Sequence, residues 1–178
     1  GSNRFGNLGF DGEDIQSTPV TLDVGGRIVD LDSTYKLVCV LLESGEVQCA
    51  GSNSFRQLGV SKLRRRASFA TVQGLPPADA VDIGDSGFNV CILSAGVPWC
   101  WGENSFGSIG PIDQSRLRPS KLEPFTDVVD LSFNASFLCA LRADDSVWCR
   151  GWTTSSGRCA EDFEWGEMTY ERCDPSDF

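Results

Sequence analysis

Apolar and polar positions alternate in short bursts along this chain, three times over and in the same order. Each round opens with a polar, proline-bearing stretch: "STPVTLDV", "QGLPPADAV" and "RPSKLEPFTDV". A brief apolar run follows: Ile28-Val29-Asp30-Leu31, Val81-Asp82-Ile83 and Val128-Val129-Asp130-Leu131. Two more apolar segments then flank a turn, in "LVCVLLESGEVQCAG" (37–51), "NVCILSAGVPWCWG" (89–102) and "FLCALRADDSVWCRG" (137–151). Branched and aromatic residues border turn formers, and no segment sustains a 3.6-residue period, so the chain reads as all-β.

Each hairpin adjoins a copy of one phrase. The copies are "GSNRFGNLG" at 1–9, "GSNSFRQLG" at 51–59 and "GENSFGSIG" at 102–110. A worn fourth start stands at Gly151. A period of about 50 residues marks solenoids, propellers and arrays. Some four short strands fit each unit, and a unit this small cannot bury both its faces, so neighbours must stack. The expected fold is an all-β, partial β-propeller of about three four-stranded blades plus a disulfide-tied C-terminal tail. The repeats are 1–50, 51–101 and 102–150, with 151–178 as a degenerate fourth start and cap. Within the phrase, glycine permits a positive φ or the close approach of another backbone. Asparagine tolerates the left-handed region and bonds nearby backbone. Phe5, Phe55 and Phe106 read as packing between blades, and the Leu-Gly or Ile-Gly ending starts the connection onward.

The eight cysteines test the hairpins. Cys39 and Cys49 are ten residues apart, Cys91 and Cys100 nine, and Cys139 and Cys149 ten. Opposing the members of each pair puts Leu41 across from Val47. It also centres the turns on Ser44, on Ala95-Gly96 and on Asp144, all turn-forming chemistry. Directly opposed strand residues are close enough for a disulfide. The expected bridges are therefore Cys39–Cys49, Cys91–Cys100 and Cys139–Cys149, with the leftover Cys159–Cys173 closing the tail. A zinc site is the weaker alternative, because the chain has neither a Cys-x-x-Cys pair nor a histidine. Bridges imply an oxidising compartment: extracellular, cell-surface or lumenal.

Charge and composition narrow the chemistry. A net charge of −10 repels phosphate backbones, which argues against nucleic-acid binding. No run approaches the roughly 20 apolar residues of a bilayer span, so direct membrane insertion is not expected. The absence of histidine removes Ser-His-Asp and Cys-His catalysis and the commonest metal ligand. Paired carboxylates are the acid–base route left open, and no pair stands out. No cofactor or metal is expected. The tail acids Glu161, Asp162, Glu164, Glu167 and Glu171 match no calcium-loop spacing and read as part of a solvated cap. One basic cluster opposes the trend: Lys62, Arg64, Arg65 and Arg66 in "SKLRRRAS". It reads as a solvated loop, with a docking patch for an acidic partner, a kinase site at Ser68 or a protease-sensitive loop as the sharper alternatives. Asn134-Ala135-Ser136 is an N-glycan acceptor.

Units such as "NVCILSAGVPWCWGENSFGSIG" and "FLCALRADDSVWC" resemble the repeats of the regulator of chromosome condensation family, and most of all its cysteine-bearing extracellular variants. The resemblance covers about residues 1–151. It implies a propeller with protein-binding loops and no common active site. Members include a GTPase exchange factor, a β-lactamase inhibitor and receptor ectodomains, and no family functional residue carries over. Two departures stand out. Leu37, Asn89 and Phe137 occupy the place of a usual histidine, and Arg56 replaces a phrase glycine. The family propeller has seven blades against three and a half here. The chain also begins inside a repeat, so a longer polypeptide or a partner subunit is expected to complete the ring. The function expected is a non-catalytic protein-interaction or structural scaffold. The alternative is a ligand- or glycan-binding ectodomain using Trp152 and Trp165, and nucleotide exchange is disfavoured by acidity and bridges.

Overall fold

In a computed structural model, residues 1–12, 14–59, 63–111, 116–134, 136–151 and 171–173 are described. Their strands form three antiparallel sheets of four. Blade 1 contains β1 (Ile28–Ser33), β2 (Leu37–Leu42), β3 (Val47–Ser52) and β4 (Arg65–Thr71). Blade 2 contains β5 (Ala80–Ile83), β6 (Asn89–Ser94), β7 (Val97–Gly102) and β8 (Arg116–Lys121). Blade 3 contains β9 (Val128–Phe133), β10 (Phe137–Arg142), β11 (Val147–Gly151) and β12 (Glu171–Cys173). Strands within a blade follow one another in sequence order. The first strands approach one another from blade to blade, β1 to β5 and β5 to β9, which puts them nearest the common axis.

The central hairpins have the register their cysteines require. Cys39 faces Cys49, Cys91 faces Cys100 and Cys139 faces Cys149. Each pair is bonded, with Cα atoms 4.1 Å apart. Leu41 lies opposite Val47. Ala95 (φ 48°) and Gly96 (φ 76°) are both left-handed, as a two-residue type I′ hairpin requires. A bridge closing so short a loop contributes about 2–3 kcal/mol in the chain-entropy treatment.

Blade borders do not follow repeat borders. The second and third phrases fall between the third and the outermost strand of a blade, so the sequence unit straddles two sheets, and the first phrase precedes β1. The run "SKLRRRAS", expected as a loop, contributes Arg65 onward to β4. The proline stretch "RPSKLEPFTDV" likewise begins inside β8. Both belong to outermost strands, with one neighbour each, which lack a buried face and so show no clean alternation. Pro119 is tolerated in β8 because an edge strand has a row of N–H groups that bond no neighbour.

Apolar side chains fill the two seams. Leu37, Leu41, Val47 and Leu58 of blade 1 pack with Val81, Ile83, Val90, Ile92 and Trp101 of blade 2. Leu93, Ile109, Leu122 and Phe125 pack with Val128, Phe133, Leu138 and Ala140 of blade 3. On the leading side of blade 1, Val24 and Phe69 cover Val40 and Leu42.

The glycine at the end of each third strand is needed for close approach. Gly51, Gly102 and Gly151 have φ of 128°, 109° and 136°. A side chain at Gly102 would collide with the backbone oxygen of Phe88, just before the neighbouring strand β6. Gly102→Ala is therefore expected to cost about 3 kcal/mol of stability, measured by urea unfolding. Gly74→Ala, at a site with open space around it and a φ of 82°, should cost clearly less.

Candidate interaction surface

The repeated phrase builds one loop three times. Its asparagine is buried and bonds the loop to itself. Asn3 Oδ1 accepts from Leu8 N at 3.0 Å, Asn53 Oδ1 from Leu58 N at 2.9 Å, and Asn104 Oδ1 from Ile109 N at 2.8 Å. The amide nitrogens donate to Phe10, Leu63 and Pro111 carbonyls. The left-handed residue is not this asparagine but the one three places later: Gly6, Arg56 and Gly107, with φ of 73°, 66° and 74°.

Each loop is then tied to the blade after it. Trp101 Nε1 donates to Gln57 O at 2.8 Å, and Arg150 Nε donates to Gly107 O at 3.0 Å. Gln57 Nε2 donates to Gly87 O at 3.0 Å. Phe55 meets Phe88 of blade 2 with centroids 4.6 Å apart, and Lys36 Nζ lies 3.7 Å from the Phe88 centroid. Phe5 meets Tyr35 edge-on at 6.3 Å. Phe5 and Phe55 thus sit between neighbouring loops, and Phe55 and Tyr35 also present exposed surface.

The basic cluster lies at the start of β4. Arg64 and Arg65 are exposed and Arg66 is half-buried. Arg65 pairs with Ser52 and Arg66 with Gly51 in the strand ladder, and Arg65 Nη1 donates to Arg4 O at 3.1 Å. Ser68 is exposed in the same strand. Lys62, Cys159, Trp152, Trp165 and the acids of 161–167 lie outside the described residues, as does the side chain of Cys173. Asn134 is half-buried, and its Oδ1 accepts from Ser136 N and Phe137 N at 2.7 and 3.1 Å.

Two features escaped the reading of the sequence. The first is a carboxylate seam along the inner strands. Asp30 Oδ2 accepts from Val81 N at 3.2 Å, and Asp32 Oδ2 from Ile83 N at 2.7 Å, so blade 1 side chains bond blade 2 backbone. Burial pushes the Asp82 carboxyl up to about 7. The hydrogen bond and the negative charge of Asp32 reinforce the shift, the Ile83 backbone opposes it, and Asp130 adds a further push. The signal was present as an aspartate recurring in each inner apolar run. The second feature is the trailing face of blade 3. Phe137 and Leu141 are 40% and 38% exposed, whereas Leu37 and Leu41, at the same places in blade 1, are 0% and 1%.

A fan of four-stranded antiparallel blades, whose phrase loops are bonded by the blade that follows, defines a β-propeller repeat protein. The chain resembles the regulator of chromosome condensation repeat propellers in both sequence and fold. The X-linked retinitis pigmentosa GTPase regulator of Mus musculus is 30% identical over 129 residues, which are 66% of this chain and 12% of that protein. Human WBSCR16 superposes with a TM-score of 0.79 at 17% identity, over 99% of this chain and 46% of that one. Saccharomyces cerevisiae Prp20p, described with binding to Gsp1p and histones, gives 0.77 at 21% identity, over 97% and 44%. Yeast RCC1 (Prp20) bound to Kap60 gives 0.77 at 19%, over 97% and 43%. The chain therefore spans about an eighth of its curated relative and less than half of each solved propeller. No family model matches it.

The seam predicts a pH dependence. A carboxyl whose folded pKa lies above its unfolded value near 3.8 holds its proton longer in the native state, so stability falls as pH rises from about 4 to about 7. Asp82→Asn is expected to flatten that slope and to raise Tm at pH 8 relative to wild type. Thermal unfolding of both proteins between pH 4 and pH 8 checks this.

Proposed function

We propose that the chain is a non-catalytic protein-interaction module, an arc of blades that works as part of a larger assembly in an oxidising compartment. One observation carries the reading: equivalent positions, Leu37 and Leu41 in blade 1 and Asn89 and Leu93 in blade 2, are buried at two seams, whereas Phe137 and Leu141 are left open at the third. Covering Phe137 and Leu141, each some two-fifths exposed, is worth about 1 kcal/mol apiece from transfer alone. The fitting occupant is a further four-stranded blade, since that is what covers the same register in blades 1 and 2. The resemblance to propeller proteins named for GTPase regulation and for binding Kap60, Gsp1p and histones supports a role in protein contact. The three hairpin disulfides support the compartment. In it, Asn134 would carry a glycan and Cys159 would pair with Cys173.

Two measurements test this. A photoreactive side chain at Leu141, in the chain within its native assembly, is expected to capture a segment bearing the same Gly-x-Asn-x-Phe repeat. The pair Phe137→Glu and Leu141→Glu should abolish that capture while the hairpin bridges still form. Co-purification unchanged by the pair would overturn the reading. Non-reducing peptide mapping should recover four linked cysteine pairs and a glycosylated Asn134, and free thiols would remove the oxidising compartment.

A further inference from the structure

Arg56 is out of place by the chain's own standard. The three copies of the phrase put Gly6, Arg56 and Gly107 in the same left-handed position. Glycine adopts that conformation without steric penalty, whereas a residue with a Cβ does not. The turn around Arg56 is otherwise the same as its counterparts: Arg56 N donates to Asn53 O at 3.2 Å, as Gly6 N does to Asn3 O and Gly107 N to Asn104 O. The loop thus gains a guanidinium and no backbone advantage. Strain held where a glycine would serve points to a use for the side chain.

The neighbourhood suggests what use. Asn53 N donates to Arg64 O at 2.8 Å, which ties the Arg56 loop to the start of β4. Arg65 and Arg66 follow, and Arg65 reaches the Arg4 carbonyl of the first phrase. Segments distant in sequence thus gather Arg4, Arg56, Arg64, Arg65 and Arg66 along one rim of blade 1. None of the five forms an ion pair among the described residues, although the protein carries 25 acidic residues against 15 basic ones. Like charges held together without counter-charges cost stability, and the bond from Arg65 to the Arg4 carbonyl does not neutralise them.

We infer that this arginine rim is a docking site for an acidic, Asp/Glu-rich segment of a protein partner. Guanidinium groups bind carboxylates through paired parallel hydrogen bonds, and spaced carboxylates on an extended segment match arginines spread along a strand start and two loops. A long polyanion such as nucleic acid fits less well, because beyond the rim it meets a protein of net charge −10. The inference rests on the reading of the chain as a protein-interaction module and names the chemistry of one partner. It uses blade 1, remote from the open face of blade 3.

The test is fluorescence anisotropy with a labelled polyglutamate peptide, the matched polyglutamine peptide and a single-stranded oligonucleotide, at low and high salt. Wild type should bind polyglutamate, lose it at high salt and ignore polyglutamine. Arg56→Gly should weaken polyglutamate binding about tenfold while leaving Tm equal or higher, because it restores the residue of the other two copies. Arg64→Gln with Arg65→Gln should weaken it further. The Phe137→Glu, Leu141→Glu pair should bind as wild type does, so loss of blade-3 association and loss of rim binding are read separately. Absence of polyglutamate binding, tighter binding of the oligonucleotide, or unchanged affinity in Arg56→Gly overturns the inference.

Discussion

A four-stranded antiparallel sheet has two faces, and neither can be left to water if it is apolar. Everything in this molecule follows from how that constraint is met between blades. Leu37 and Leu41 are buried because Val81, Ile83 and Trp101 of the next sheet lie over them. The phrase loops serve the same end. Each carries a self-bonded asparagine at its base, and the next blade clamps the second loop through Trp101 and the third through Arg150, so loop and seam form one unit. Side-chain carboxylates do for the inner strands what those donors do further out. Asp30 and Asp32 satisfy backbone N–H groups of β5 that no strand ladder reaches.

The charges are sorted by place. Aspartates gather at the inner seam, where burial and mutual repulsion raise the proton affinity of Asp82, while arginines gather on a rim of blade 1. Asp30 and Asp32 contribute to holding blades together, and Asp82 beside them makes the seam sensitive to pH. The outer group has no counter-charge among the described residues, which is why it reads as recognition. The two are separable by substitution.

How much was legible in the sequence varied with burial. Cys39, Cys91 and Cys139 and their partners fixed three hairpins because opposed strand positions must satisfy one covalent distance, and apolar runs such as Val81-Asp82-Ile83 marked inner strands. The outermost strands were hidden. Arg65 and Arg66 sit in β4 with little buried surface to impose a period of two, and Pro119 in β8 points the eye toward a loop. The role of Arg56 was visible only as a broken repeat until its backbone angle showed that the position still demands glycine. Asp82 looked like a polar interruption of an apolar run, because a sequence does not say that Asp32 of another blade lies beside it.

The three described sulfur bonds all stay within a single hairpin, and none crosses from one blade to another. Oxidation at these three bridges therefore stiffens each leaf of the fan individually, and none of the three locks one leaf to the next. Each bridge can close by its own local chemistry as soon as its two central strands meet. None of the three ties the packing of neighbouring leaves to redox state.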